Sequence, residues 1–372
     1  MHLKPLHSES PVIVYIDFKS PYAYLAVEPT RELERQLGVQ FDWRPFVLDI
    51  PSYLGSATLD ESGKVAEQSR SADQWSGVKY AYYDCRRYAS MQNMIVRGTV
   101  KIWDTDLAAT AMLWARQQDS EAMHRFIDLV YEPFWKRDLD LEKMSVVSGL
   151  LDLAGIDSAR FVDWAQSEGL ALNAELQQEA FAAGIYGVPT YVVEDTLFFG
   201  REQLPRVAWH LGDQRAPAPD IAYTLPAGHA IQLIQPQELV IGIDDTVDSL
   251  LALPKLKTLL DQSNLSARWV RAESKKPASL PPNDDQSRSA QHKHRRASNL
   301  EANLERYCPQ EIAHNSVSVA IENEMNRLGI NIETEGPSDV THPAMPGIVV
   351  KLNEELFIGR QHLPLLRALL QK

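Results

Sequence analysis

The sequence predicts an α/β protein in which one order of strands and helices occurs twice and a long helical insertion interrupts the first copy. Three observations support this: a strand and a helix start within residues 12–37, a helical block at residues 69–183, and the return of the same segments after residue 238. Residues 12–16 form a short, β-branched, continuously apolar run. Such a run is typical of a strand that is buried on both faces of a sheet.

The first helix is predicted to begin directly after this strand. Ser20 is a typical N-cap residue, and Pro21 suits the first helical position because no backbone N–H is needed there. Gly38 is predicted to end the helix, and residues 39–44 alternate like a second strand. The chain therefore opens as strand, helix, strand.

The helical insertion is followed by a hairpin. Within residues 69–183, apolar residues recur every three or four positions, which predicts several consecutive helices. Pro189 then leads into a hairpin at residues 191–199, and another helix follows. A β-α-β unit, an insertion and a β-β-α unit entered through a proline make up the thioredoxin-like topology, with a core at residues 10–60 and 184–212.

The same segments return after residues 213–237, a proline-rich stretch that is predicted to be a linker. Four separated matches in one order indicate a tandem duplication. The matching pairs are 12–17 with 239–244, 24–27 with 250–254, 188–193 with 345–350, and 197–205 with 356–364.

The second copy, residues 238–372, is predicted to be a degenerate thioredoxin-like repeat with a short insertion. Residues 273–297 contain a single large apolar residue among Lys, Arg, Ser, Pro and Asp, so a mobile loop is expected. The basic run at residues 292–296 is compatible with a metal or nucleic-acid site, but a solvated loop is the simpler interpretation.

Length, charge and composition exclude several classes of protein. A chain of 372 residues predicts two to three domains, and a net charge of −13 disfavours general nucleic-acid binding. Its two cysteines, Cys85 and Cys308, are too far apart for a C-x-x-C motif or a cysteine-based zinc site. No spacing predicts a metal or nucleotide, and no segment predicts a signal peptide or membrane span, so a cytoplasmic protein is expected.

Three segments and the insertion between them resemble a known protein family; the segments are residues 16–25, 187–190 and 199–204. The family is the 2-hydroxychromene-2-carboxylate isomerase and kappa-class glutathione transferase group of the DsbA-like thioredoxin superfamily. The resemblance covers residues 10–212. A DsbA-type oxidoreductase needs two thiols at the start of the first helix, where the dipole lowers the first thiol's pKa. Residues 20–23 are Ser-Pro-Tyr-Ala, which excludes dithiol–disulfide exchange at this site.

The resemblance implies a glutathione-dependent isomerase or transferase that acts on a small aromatic or conjugated electrophile. Ser20 would hold the glutathione thiolate at the helix N-terminus. In the second copy, Asp244, Asp245 and Asp248 surround the helix start instead and would repel a thiolate. The implied glutathione contacts are Ser20, Pro21, Val188, Pro189, Arg201 and Glu202, and the implied acceptor cleft holds Tyr22, Trp103 and Asp104. At Arg201 and Glu202, the group usually has a short Asn/Ser-Asp pair.

Several of these residues, and Cys85, also have a structural interpretation. A second hypothesis is a non-catalytic binding module that holds an extended peptide beside Pro189 or uses the degenerate repeat as an interaction surface. Since enzymes of the group are generally dimers, a homodimer or an intramolecular pseudo-dimer is expected, with no nucleic-acid or membrane partner. The structural interpretations are an N-cap for Ser20, an architectural proline for Pro189, a carboxylate in the first helical turn for Glu202, a core aromatic for Trp103, an N-cap for Asp104 and an incidental thiol for Cys85.

Overall fold

Apolar strands and capped helices form the elements of the chain. A computed structural model describes residues 3–226, 228, 230–272, 280–307, 317–333 and 346–371. The chain divides into two compact units. The first comprises Met1–Ser71, Tyr82–Pro217 and Asn283–Arg296, and the second comprises Ala72–Ala81, Ala218–Pro282 and Ala297–Lys372.

The first part of the chain follows the predicted order of elements. The elements are β1 (Ile13–Ile16), α1 (Pro21–Leu37), β2 (Asp42–Pro45), α2 (Ile50–Leu54), β3 (Ala57–Leu59), β4 (Val65–Gln68), α3 (Ala72–Ser90), α4 (Asp106–Gln118), α5 (Ser120–Lys136), α6 (Met144–Leu153), α7 (Ser158–Trp164), a π-helical turn at Ala165–Gly169, α8 (Leu170–Ala182), β5 (Thr190–Val193), β6 (Thr196–Phe199), a 3₁₀ turn at Arg201–Gln203, and α9 (Leu204–Leu211).

The sheet of the first unit has the order β2-β1-β5-β6. Strand β1 runs parallel to β2 and antiparallel to β5, so Val14 lies opposite both Trp43 and Tyr191. All four residues of β1 are buried, as the continuous apolar run predicted. The thioredoxin-like topology and the helical insertion, α3 to α8, are confirmed. The exposed hairpin β3–β4 was not predicted.

The later elements are β7 (Leu239–Ile243), α10 (Val247–Ser263), β8 (Arg268–Arg271), α11 (Arg288–Tyr307), α12 (Val317–Leu328), β9 (Ile332–Glu333), β10 (Val349–Leu352), β11 (Glu355–Ile358), a 3₁₀ turn at Arg360–His362, and α13 (Leu363–Leu370). The sheet of the second unit has the order β11-β10-β7-β8-β9. Strand β7 is parallel to β8 and antiparallel to β10. Strands β8, β7, β10 and β11 therefore have the same order and directions as β2, β1, β5 and β6.

The predicted mobile loop at residues 273–297 is wrong where it overlaps α11, which begins at Arg288. Residues 273–297 contain a single large apolar residue, but such residues are not the only ones that can hold a helix against a domain. Histidine rings and the guanidinium groups of arginines can also pack on aromatic residues, and those on α11 do. Residues 273–279 and Cys308 lie outside the described residues. The units also differ from the predicted domains, because residues 72–81 group with the second unit and residues 283–296 with the first.

The predicted match between Pro346 and Pro189 is wrong by two residues. In the first unit, Gly200 donates its backbone N–H to the carbonyl of Pro189. In the second unit, Gly359 donates to the carbonyl of Ile348 in the same way. Ile348 therefore occupies the position of Pro189. The match of residues 345–350 rests on a Pro-led apolar run, and such a run does not fix the strand register.

Within the second unit, Tyr80 makes a hydrogen bond with the outer side of the edge strand β11. Its buried hydroxyl accepts a hydrogen bond from the Ile358 N–H at 2.8 Å and lies 3.3 Å from Nε2 of His362. Since β11 is at the end of the sheet, this N–H faces away from the β10 ladder. Tyr80 thus satisfies a backbone donor that the sheet itself leaves open.

Replacing Tyr80 with Phe will destabilise the protein, because the buried Ile358 N–H loses its acceptor. We expect a loss of about 1–3 kcal/mol in the free energy of unfolding, measured by urea denaturation. Tyr83→Phe is the control, because Tyr83 is 43% exposed and its ring is kept. Equal stability of the two variants would contradict the assigned role of the Tyr80 hydroxyl.

Candidate active site

Ser20 lies at the N-cap of α1, as predicted. Its Oγ accepts a hydrogen bond from the Ala23 N–H at 3.2 Å, and Pro21 occupies the first helical turn. A serine hydroxyl can accept at its lone pairs and donate its hydrogen at the same time. The N-cap interpretation is therefore correct, and it leaves the Ser20 O–H able to donate to a ligand.

The carboxylate of Asp17, which ends β1, is the most connected group near Ser20. It is 2% exposed and accepts hydrogen bonds from the Thr105 hydroxyl at 2.7 Å, the Leu48 N–H at 2.7 Å and the Lys19 N–H at 3.2 Å. The ammonium of Lys19, itself buried, lies 3.8 Å away. A buried charge needs such partners. Asp17 joins the end of β1 to the segment after β2 and to the start of α4.

The backbone of Asp17 also fixes the loop that carries Ser20. Its carbonyl accepts from the Ser20 N–H at 3.0 Å and from the buried Tyr131 hydroxyl at 3.0 Å. Asp17 lies within residues 16–25, which carry the family resemblance, but this role was not predicted. An acid directly after a fully buried strand was the available signal, but its partner Thr105 lies 88 residues away.

Pro189 lies at the same edge of the sheet as Ser20. The Val188–Pro189 peptide bond is cis, and the pairing of β5 with β1 begins at Thr190, opposite Tyr15. Because β1 and β5 are antiparallel, the end of β1 meets the start of β5. Gly187 is required beside them, since a Cβ there would lie 2.5 Å from the ring of Phe199. Val188 thus precedes the ladder, next to the loop of Ser20.

Arg201, expected to contact glutathione, has a buried side chain that packs on α3. Its guanidinium carbon lies 4.4 Å from the centre of the Tyr88 ring. Glu202, by contrast, is half-buried and folds back over Gly200, whose φ is +102°. This φ favours glycine, and a Cβ at Gly200 would lie 2.3 Å from a Glu202 carboxylate oxygen, which would have to move away.

Tyr22, expected in the acceptor cleft, is hydrogen-bonded to the buried carboxyl of Asp84. Burial raises the pKa of Asp84 to about 6, although Arg87, Arg201 and this hydrogen bond act in the opposite direction. Arg87 donates to Asp84 at 3.0 Å. The neighbouring Cys85 is fully buried, and burial together with Asp84 raises its thiol pKa well above the usual value. The interpretation of Cys85 as an unreactive thiol fits this setting.

Trp103 and Asp104 lie at the start of the insertion's second helix. Trp103 is half-buried, with its ring edge-on to Phe134 and the Lys101 ammonium 4.5 Å from its centre. Asp104 is exposed, and its Oδ1 accepts from the Asp106 N–H at 2.8 Å. Trp103 is thus a packed but only half-buried aromatic. The N-cap of α4 is Thr105, so the N-cap interpretation of Asp104 is wrong by one residue.

The second unit has a related helix start. Thr246 is the N-cap of α10 and accepts from the Ser249 N–H at 3.2 Å, as Ser20 does from Ala23. The carboxylate of Asp248 in the first turn accepts from the Ile348 N–H at 3.0 Å, where the first unit has Pro189.

Carboxylates of the second unit thus occupy the backbone donors beside its helix start. Asp244 accepts from the Gly347 N–H at 2.8 Å, at the position of Val188. Asp248 also accepts from the buried guanidinium of Arg360 at 2.6 Å. An extended ligand cannot pair with Gly347 or Ile348 unless these bonds break.

Among the residues that the structure describes, no group of His, Cys, Asp and Glu side chains is arranged to hold a metal ion. Nor does this part of the chain contain a helix with the length and apolar character needed to cross a membrane.

The profile of the DSBA-like thioredoxin domain family matches residues 11–212. The chain belongs to this family. Its DSBA-like domain includes β1, the helical insertion, the cis proline and α9, and therefore the whole arrangement around Ser20.

The DSBA-like domain is similar in sequence to an isomerase. The chain is 25% identical over 200 residues to 2-hydroxychromene-2-carboxylate isomerase of Sphingobium xenophagum. The aligned region covers 54% of this chain and 96% of the relative. The predicted resemblance to this isomerase is confirmed, while the kappa-class transferase half of the resemblance stays a prediction.

Two solved structures are also similar to the chain. One is a 2-hydroxychromene-2-carboxylate isomerase, with 19% identity, a TM-score of 0.40, and coverage of 52% of this chain and 90% of that one. The other is a putative protein disulfide isomerase from Nitrosomonas europaea, with 15% identity, a TM-score of 0.41, and coverage of 56% and 97%. TM-scores this low carry no argument about function.

Asp17→Asn will destabilise the DSBA-like domain, because the amide cannot balance Lys19 and presents an N–H₂ where only donors face it. We expect a loss of roughly 3 kcal/mol in the free energy of unfolding. Thr105→Val, which removes one hydrogen bond, should cost about 1–2 kcal/mol. The exposed Asp104→Asn is the matched control. If Asp17→Asn lowered the free energy of unfolding no more than Asp104→Asn does, the hydrogen-bond network assigned to Asp17 would be wrong.

Asp84 will make stability fall as pH rises. Its raised pKa means that the folded state keeps the proton in a window between the ordinary value of 3.8 and about 6, where the unfolded chain has lost it. Stability contributed by the protonated form is therefore lost through this window. Relative to wild type, Asp84→Asn should become more stable from about pH 4 to about pH 7, measured by urea unfolding. A pH-independent difference would contradict the raised pKa.

Proposed function

We propose that the DSBA-like domain is a glutathione-dependent isomerase that acts on a small aromatic or conjugated electrophile. The observation that carries the proposal is the Ser20 hydroxyl at the N-terminus of α1, at the sheet edge that also holds the cis Pro189. The isomerase from Sphingobium xenophagum supports the reaction class. A transferase on the same site is the neighbouring possibility, since it differs only in releasing a conjugate.

Ser20 has the chemistry to stabilise a thiolate. Its oxygen is held by the Ala23 N–H, which orients the hydroxyl and leaves its hydrogen for an anion. The 17-residue helix α1 adds the partial positive charge of its N-terminus. A hydrogen bond to a charged group contributes about 1.5–3 kcal/mol, so the ionised thiol would be favoured over the neutral one.

The residues around Ser20 suit the other parts of glutathione. Val188 precedes the β5 ladder, so its backbone is placed to pair with the extended cysteinyl unit. Glu202 offers a carboxylate for the γ-glutamyl ammonium, whereas the guanidinium of Arg201 is engaged with Tyr88. Bound glutathione would supply a nucleophilic thiolate that adds to a conjugated double bond and leaves again, with no oxidant required. Asp17 and Lys19 would keep the Ser20 loop fixed during both steps.

We further propose that the second unit is a degenerate repeat of the thioredoxin-like core. Its sheet has the same strand order and directions, and Thr246 caps α10 as Ser20 caps α1. Asp248 blocks the equivalent of the Pro189 position, which favours an inert site in this unit. A cytoplasmic location, a homodimer and an intramolecular pseudo-dimer stay predictions from the sequence.

The second candidate function is a binding module without catalysis. The burial of Arg201 favours it, because one of the expected glutathione contacts points into the protein. Such a module would hold an extended peptide beside Val188 and Pro189. The two candidates differ in whether Ser20 meets a thiolate.

Calorimetric titration with glutathione tests the proposal. Ser20→Ala should weaken binding by about tenfold or more and abolish the ultraviolet thiolate absorbance of bound glutathione. Ser20→Asp is the matched variant, because aspartate keeps the N-cap but repels the thiolate. It should not bind glutathione, yet it should avoid the decrease of about 1 kcal/mol in the free energy of unfolding that Ser20→Ala causes. Equal affinity in all three proteins, or no binding by the wild type at several millimolar glutathione, would refute the proposal and leave the peptide-binding module.

A further inference from the structure

Part of helix α11 belongs to the first unit although it lies outside the DSBA-like domain. Residues 283–296 group with that unit, and α11 begins at Arg288. Side chains three and four positions apart share one face of a helix. Arg288, His292, Arg295 and Arg296 therefore form one stripe, called here the basic stripe.

The basic stripe is fastened to the end of α8. The guanidinium carbons of Arg288 and Arg295 lie 3.1 and 4.1 Å from the centre of the Phe181 ring. Arg295 also donates to the carbonyl of Ala182 at 3.1 Å, in the last turn of α8, where a cation is favoured. These contacts attach the first two turns of α11 to the end of α8.

His292 extends this attachment to the site. Its ring stacks on Tyr53 at 4.2 Å with an angle of 4° between the rings, and it meets Tyr186 edge-on at 5.6 Å. Tyr53 follows β2, and Tyr186 precedes the cis Pro189 by three residues. Burial lowers the pKa of His292 to about 4, so a neutral ring fills the gap between the two tyrosines at neutral pH.

Arg296 lies one turn beyond His292 on the same face and is exposed. Burial raises the pKa of the Tyr53 and Tyr186 hydroxyls, acids of the domain raise it further, and the charge of Arg296 acts in the opposite direction on both. Those acids are Asp17 and Asp49 for Tyr53 and Glu202 for Tyr186. Arg296 thus brings a cation from outside the DSBA-like domain to the side of the domain that holds Tyr53, Tyr186 and Glu202.

We propose that Arg296 is a specificity-determining residue that binds a carboxylate of the ligand in the DSBA-like site, and that His292 and Phe181 hold the helix that carries it. The inference rests on the proposed function for the identity of the ligand. The carboxylate comes either from glutathione or from the acceptor, and both sources call for the same charge-assisted hydrogen bonds from a guanidinium.

The experiment compares Arg296→Gln and Arg296→Lys with Lys293→Gln, an equal charge change at an exposed position of the same helix. The probes are glutathione, its glycyl ethyl ester, 1-naphthoate and 1-naphthalenemethanol, each titrated by calorimetry. Arg296→Gln should weaken binding of the carboxylate-bearing probe by about tenfold, with partial rescue in Arg296→Lys. Lys293→Gln should match the wild type. Melting temperatures should agree among the variants, because the Arg296 side chain is exposed.

The pattern of losses identifies the source of the carboxylate. Loss for glutathione, but not for its ester, assigns the glycyl carboxylate; loss for 1-naphthoate, but not for the alcohol, assigns the acceptor. Unchanged affinity of Arg296→Gln for every probe, an equal loss in Lys293→Gln, or a wild type that binds no probe overturns the inference. A wild type that binds 1-naphthoate through Arg296 but not glutathione refutes the proposed function and leaves this inference standing.

Discussion

The buried carboxylate of Asp17 is the interaction on which the candidate site depends. It collects donors from its own loop, from the segment after β2 and, through Thr105, from the first residues of the insertion. A charge removed from water is tolerated only when such partners are in place, so the three segments are fixed relative to one another. Because the Asp17 carbonyl also receives the Ser20 N–H, the same residue sets where α1 begins and where its hydroxyl is presented.

Local signals predicted the part of this arrangement that is local. A few neighbouring residues were enough to predict three elements. They are the buried strand β1, the helix start at Ser20 and Pro21, and the hairpin that follows a proline. The partner of Asp17 could not be found in this way, because Thr105 reaches it only after the insertion has folded. The attachment of α11 was not predicted for a related reason. It depends on arginine and histidine side chains packed on aromatic rings, and these residues produce no periodic pattern of apolar residues in the sequence. The mismatch at Pro346 arose because a short motif does not fix strand register.

Comparison of the two units shows what makes a sheet edge available to a ligand. Both have a hydroxyl N-cap after the first strand and a β-hairpin beside it. In the first unit, the position next to that cap is a cis proline without an N–H, and Val188 precedes the ladder. In the second unit, the carboxylates of Asp248 and Asp244 accept hydrogen bonds from the backbone N–H groups of Ile348 and Gly347, respectively. Asp244, which corresponds to Asp17, and Asp248 in the first turn of α10 therefore occupy the hydrogen-bonding edge of the second unit.

The central claim is that the loop held by Asp17 presents the Ser20 hydroxyl to a glutathione sulfur. Its most direct test is a crystal structure of the full chain with glutathione bound. We expect the sulfur within hydrogen-bonding distance of the Ser20 Oγ and the cysteinyl backbone paired with Val188 beside the cis proline. Glutathione bound elsewhere on the chain, or at this edge with its sulfur turned away from Ser20, would contradict the account.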